Sequence, residues 1–124
     1  MKIAVDAMGG DNGSAPVVEA IKDFKKLYPK DEIIVFGKRE ELAELSSICR
    51  IVDAPEIVPM AAGALEVIRM KNSSMCKAIN AMKEEGLDAI VSCGSTGGFL
   101  SAATILLKMI PEVKRAALVT AFPT

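Results

Sequence analysis

The chain contains no histidine and no tryptophan. Without histidine it cannot assemble a Ser-His-Asp triad, a Cys-His pair or a His-ligated metal site. Chemistry done by these residues therefore rests on carboxylates, lysines, hydroxyls and backbone amides. The three cysteines, Cys49, Cys76 and Cys93, are odd in number and form no CxxC pair. That spacing reads as reduced thiols rather than a disulfide framework or a metal site. Aromatic residues are only Phe24, Phe36, Phe99, Phe122 and Tyr28, so the core must be aliphatic. Neither sign of charge dominates: 15 basic residues face 16 acidic ones, interspersed, for a net charge of −1. Nothing in that balance points to a nucleic-acid footprint or a basic membrane patch. The longest uncharged apolar run, residues 97–107, is too short to span a bilayer. At the start, MKIAVDAMGG places an Asp where a signal peptide needs apolar residues, which points to a cytoplasmic chain.

What is present is apolar substance in a regular pattern. Of 124 residues, 51% are hydrophobic, enough for the core of one domain or one lobe of a larger one. A mean hydropathy of +0.34 is high for a free-standing domain of this size. It implies strands covered on both faces, and a face intended for further chain. Short apolar runs, KIAVD at Lys2–Asp6 and EIIVFG at Glu32–Gly37, read as buried parallel strands. CRIVDA and DAIVS (88–92) read the same way, and residues 116–121 as a last strand. Between them Val17, Ala20, Ile21, Phe24, Leu27 and Tyr28 recur at helical spacing, with Ser14 as a candidate cap, Pro16 in the first turn and Pro29 as the stop. KREELAELSS reads as a polar surface helix, and 61–70 as a helix between proline-rich turns. Ser73 is placed to cap a helix with the stripe Met75, Ala78, Ile79 and Met82, ended by Gly86. Residues 97–110 read as a helix apolar nearly all round, and so buried. Strands alternating with helices predict βαβ crossovers on a parallel sheet.

Three loops follow strands or open helices, where ligands of open α/β sheets bind. In DAMGGDNG (6–13), Gly9 and Gly10 let backbone amides approach an anion, while Asp6 and Asp11 orient neighbouring donors; a plain tight turn explains the glycines equally well. The spacing is not GxGxxG, so a dinucleotide fingerprint is unsupported. In KNSSM (71–75), Ser73 and Ser74 are most simply helix caps, yet Lys71 beside two hydroxyls and free helix amides also suits phosphate. In VSCGSTGGFL, the run Gly94, Ser95, Thr96, Gly97 and Gly98 lies between an apolar strand and an apolar helix. A turn there needs one glycine; three, with two hydroxyls at a helix start, form an anion cradle. Close helix–strand packing is the plainer alternative. The GxxxxGK[ST] pattern is missing, so an NTPase loop is not indicated. Cys93 is tempting as a thioester-forming nucleophile, but a buried strand-end thiol is the commoner arrangement.

KIAVDAMGGDNG, KNSSM, AIVSCGSTGGFL and KRAALVTAFPT, in that order, resemble the amino-terminal part of the acyl-carrier-protein:phosphate acyltransferase family. The resemblance covers essentially the whole chain, in a family whose members are well over twice as long. It departs from the usual loop GNTGA, with Ser95 standing where Asn is common and Gly98 where Ala is common. Ser14 likewise replaces a frequent Pro, and Arg115-Ala116 a usual Arg-Pro. The resemblance implies a three-layer α/β/α fold with a mostly parallel sheet, like the isocitrate and isopropylmalate dehydrogenases, of which residues 1–124 form one amino-terminal lobe. It implies transfer of a fatty acyl group from acyl-acyl carrier protein to inorganic phosphate, without cofactor or metal. The acyl phosphate then serves a membrane glycerol-3-phosphate acyltransferase. A homodimer is implied, cytoplasmic or peripheral at the membrane, with no nucleic-acid partner.

The expected residue roles are catalytic for Asp11 and Lys71. Gly9, Gly10, Ser73, Ser74, Gly94, Ser95, Thr96, Gly97 and Gly98 are expected to bind phosphate and the acyl substrate. The lobe by itself is expected to be inactive and to expose apolar surface. Two competing readings are a dehydrogenase-like lobe that binds a nucleotide or metabolite, and a non-catalytic module for acyl carrier protein or phosphate.

Overall fold

In the computed structural model, which describes residues 1–117, 119 and 121, four parallel strands form one sheet flanked by helices. The elements run β1 (Lys2–Asp6), α1 (Ala15–Leu27), β2 (Glu32–Gly37), α2 (Arg39–Leu42), β3 (Arg50–Asp53), α3 (Ala64–Arg69), α4 (Ser74–Glu85), β4 (Ala89–Ser92) and α5 (Thr96–Leu106). The strand order is β3-β2-β1-β4. The chain thus walks outward from β1 through β2 to β3, then returns to place β4 on the other side of β1. This reversal makes the β1–β4 seam the topological switch point, where open α/β sheets form a crevice at the strands' carboxyl ends. In register, Asp6 of β1 lies beside Ser92 of β4.

Alternation along the strands sorts side chains to two faces. Val5, Ile33 and Val35 pack with Val17, Val18 and Ile21 of α1, and with Leu42 and Leu45. Ala4, Ile34 and Phe36 pack instead with Ala78 and Ala81 of α4. A third cluster joins Val67 of α3 and Met75, Cys76 and Ile79 of α4 to Ala102 of α5. Helices therefore cover both faces, as the strand–helix alternation predicts. Cover is incomplete over β4, however. Val91 is 51% exposed, and an apolar groove runs between it, Cys93 and the α1 residues Val17, Ile21 and Phe24.

Several local expectations change. Ser14 stands before α1, but its side chain makes no capping bond; the hydroxyl donates to Glu41 Oε1 at 2.8 Å. The polar stretch after β2 breaks after four residues of α2 into a 3-10 turn at Ala43–Leu45. It is not a purely surface helix, because Leu42 and Leu45 are fully buried. The third helix is shorter than residues 61–70, starting at Ala64 and ending at Arg69. The last helix stops at Leu106, with Lys108 at a positive φ of 65°. It is not buried all round: of its residues only Gly98 and Ala102 are buried, and Ile105 is 49% exposed. A strand over 116–121 includes Leu118 and Thr120, which lie outside the described residues; Ala116, Ala117, Val119 and Ala121 are in no strand.

Candidate functional site

Four segments meet at the carboxyl ends of β1 and β4. The loop after β1 leans on the end of β4: a Cβ built at Gly10 would stand 3.6 Å from the Cys93 Cβ. Gly9 has φ +88°, and its Cβ would lie 3.3 Å from the Gly94 Cα and 3.7 Å from the Val58 carbonyl. Only glycine takes that conformation without strain while letting two backbones approach so closely. At Gly94 the added atom would meet Met75 Cε at 2.9 Å and Asp6 Oδ2 at 3.3 Å. The segment 56–60 completes the cluster. Met60 accepts a hydrogen bond from Ser95 Oγ at 3.3 Å, and Glu56 bridges in parallel to Ser73.

Asp6 lies at the centre of this cluster and is 1% exposed. The Met8 amide donates to its Oδ1 at 3.2 Å, and the Ser92 hydroxyl donates to its Oδ2 at 2.7 Å. Ser92 Oγ in turn accepts from the Gly94 amide at 3.1 Å. Burial pushes the Asp6 carboxyl above the usual carboxylate range, opposed by the hydroxyls of Ser74 and Ser92 and by the Met8 amide.

The expected binding residues fall into two groups. Ser73, Ser74 and Ser95 are buried and engaged internally. Ser73 Oγ caps α4 by accepting from the Cys76 amide at 3.2 Å, and the Ser74 amide donates to the Glu56 carbonyl at 3.1 Å. The start of α4 is thus filled by the protein itself. Ser95 Oγ caps α5 by accepting from the Gly98 amide at 3.1 Å. The second group is open: Thr96 and Gly97 are exposed, and Gly9 and Gly10 are partly so. The amides of Thr96 and Gly97, in the first turn of α5, have no partner within the helix. A Cβ at Gly97 would meet nothing within 4 Å, so packing does not demand glycine there. Asp11 and Lys71 are both exposed, and no hydrogen bond among the described residues ties either side chain to the loops.

The sequence reading passed over Ser92 and segment 56–60. The signal for Ser92 was its place as the last residue of a strand, like Asp6, but strand neighbours cannot be read from one chain. Cys93 is exposed rather than buried, a correction with a plain cause: with Val91 it lines the groove over β4 that α1 leaves open. Among the described residues no group of three or more Cys, Asp or Glu side chains is placed to hold a metal ion. None of the described helices is long and apolar enough to cross a membrane.

The fold defines the class: an open α/β lobe with an all-parallel sheet and glycine turns gathered at its switch point. Comparison with known proteins narrows that class. Residues 1–124 match the family described as "Fatty acid synthesis protein", and the chain belongs to it. It is 40% identical over 132 aligned positions to a phosphate acyltransferase of Coxiella burnetii (strain RSA 331 / Henzerling II), covering 98% of this chain and 38% of the relative. It is 37% identical to the phosphate acyltransferase of Pediococcus pentosaceus, covering 100% of this chain and 37% of the relative. With that of Clostridium beijerinckii the identity is 37%, covering 99% of this chain and 39% of the relative. The chain therefore spans under two fifths of the length of these relatives.

Proposed function

We propose that this chain is the phosphate-binding lobe of an enzyme that moves a fatty acyl group from the thioester of acyl carrier protein to inorganic phosphate. One observation carries the reading: the exposed first turn of α5, Thr96 and Gly97, opens at the β1–β4 switch point beside the Gly9–Gly10 turn. A helix start offers unpaired amides and about half a positive charge to an anion. Phosphate is itself a nucleophile near neutral pH, so a chain with no histidine suits this reaction. A phosphate oxygen bonds to the thioester carbonyl carbon, and the C–S bond breaks. The electron pair leaves with sulfur, which takes the proton that hydrogen phosphate gives up and is released as the carrier thiol. The protein's part is to hold phosphate in line and stabilise the charge on the carbonyl oxygen.

In this scheme Thr96 and Gly97 seat the phosphate, while Ser95, holding the buried Gly98 amide, shapes the turn. Gly9 and Gly10 supply the opposite wall, and Gly94, Ser73 and Ser74 support it from behind. Lys71 balances phosphate charge on approach, and Asp11 orients a donor. No cofactor or metal takes part. The acyl phosphate is handed to a membrane glycerol-3-phosphate acyltransferase, and a homodimer working at or near the membrane surface suits that hand-over.

The test uses the full-length enzyme carrying these residues, with palmitoyl-acyl carrier protein, inorganic phosphate and a hydroxylamine trap. Hydroxamate that requires both enzyme and phosphate is expected. Gly97→Ala fills only open space, so the fold should persist while the phosphate KM rises at least several-fold. An intact thioester, or an unchanged KM in Gly97→Ala, would overturn the assignment.

A further inference from the structure

The glycine turn before α5 is held by a chain of hydrogen bonds that begins at a buried acid. We propose that Asp6 is the positioning residue of the site, acting through the Ser92 hydroxyl to fix the Gly94 amide and with it the first turn of α5. The inference deepens the phosphate reading and rests on it for its kinetic part. Its structural part stands on geometry alone. Ser92 O–H donates to Asp6 Oδ2 at 2.7 Å, which leaves the Ser92 oxygen free to accept from the Gly94 amide at 3.1 Å. The same carboxyl accepts from the Met8 amide at 3.2 Å, one residue before the Gly9–Gly10 turn. The Ser74 hydroxyl faces it from the start of α4. A single side chain, 1% exposed, therefore ties together the turns after β1 and β4.

A carboxylate suits this place because every partner there is a donor, and it accepts through both oxygens. Asparagine offers one acceptor oxygen for two of these donors. Its NH₂ group would point at Ser92 Oγ and compete with the Gly94 amide for the same lone pairs. The turn would lose its fixed orientation while the volume of the side chain stayed the same. Hydrogen bonds to a charged group are worth enough that their loss corresponds to about ten-fold or more in an equilibrium.

The experiment makes Asp6→Asn, Ser92→Ala and the double variant in the full-length enzyme, with Leu45→Ala, in the separate cluster beneath α1, as a control that loosens packing elsewhere. The phosphate KM is expected to rise about ten-fold in each single variant, with smaller change in kcat. The double variant should be no worse than the worse single one, because both interrupt one relay. Leu45→Ala should leave the KM unchanged. Amide hydrogen exchange at Gly94 should accelerate in Asp6→Asn and Ser92→Ala, and this reads the relay even if the wild-type enzyme yields no acyl phosphate. Should Asp6→Asn fail to fold, the smaller change Ser92→Ala carries the test by itself. Unchanged Gly94 exchange in the folded Ser92→Ala protein, or KM effects that multiply independently in the double variant, would overturn the relay.

Discussion

Gly9 and Gly94 meet backbone to backbone, with a Cβ at Gly9 only 3.3 Å from the Gly94 Cα and Gly9 held at φ +88°. Gly13 has a similar φ of +73° but nothing within 4 Å of its would-be Cβ. The pair separates two effects. Gly13→Ala should cost only left-handed backbone strain, about 1–2 kcal/mol. Gly9→Ala should cost that plus overpacking, about 1 kcal/mol more. Urea unfolding of both variants measures the difference, and equal losses would show that the Gly94 backbone yields freely.

The stretch after β2 offers a second test. Leu42 and Leu45 are each 0% exposed, although their neighbours Glu40, Glu41 and Glu44 are solvated. Truncating either to Ala removes a buried side chain and leaves a cavity, costing about 2–5 kcal/mol. Glu40, solvated and with no side-chain hydrogen bond among the described residues, should tolerate Ala within about 0.5 kcal/mol. Losses below that figure at Leu42 and Leu45 would mean the segment is only loosely docked on α1 and β2.

The thiols should react in a fixed order. Cys93 is exposed, Cys49 is half-buried and Cys76 is buried. Burial pushes the thiols of Cys49 and Cys76 above their usual range, which lowers their thiolate fraction at any given pH. Cys76 is further disfavoured by the nearby Asp6 and Glu56 carboxylates. Since the thiolate is the nucleophile, iodoacetamide at mildly alkaline pH should label Cys93 first, then Cys49, and Cys76 only on unfolding. Peptide mass spectrometry over a time course reads this directly. Early labelling of Cys76 in the folded protein would contradict the packing of α4 against α3.

Sequence was most informative where one residue decides one local outcome. Gly86 ends α4 with a left-handed φ of 63°, and Ser73 caps its start. The strands Lys2–Asp6 and Glu32–Gly37 were legible because buried parallel strands are continuous apolar runs. It was least informative where partners lie far along the chain. Ser14 has the right character for a cap, but Glu41 draws its hydroxyl away. Leu42 and Leu45 look like part of a charged surface until α1 and the sheet lie beneath them. The apolar run after Gly97 suggested burial, yet Ile105 is half exposed because α3 and α4 contact only part of α5. The glycines of the site were visible in sequence. That Ser92 stands beside Asp6 follows only from the sheet order.

That order also sets the sequence of events in folding. The β1–β2 pair joins Lys2 to Glu32, whereas the β1–β4 seam joins residues 86 positions apart, as Asp6 and Ser92 are. Closing the wider loop costs about 1 kcal/mol more in chain entropy. Among the described residues β4 has β1 as its only strand neighbour, so less holds it once formed. The two glycine turns therefore come into contact late in folding and separate early in any partial opening. Ligand bound across the seam would act as a clasp, lending the edge strand a stability that its own pairing does not provide.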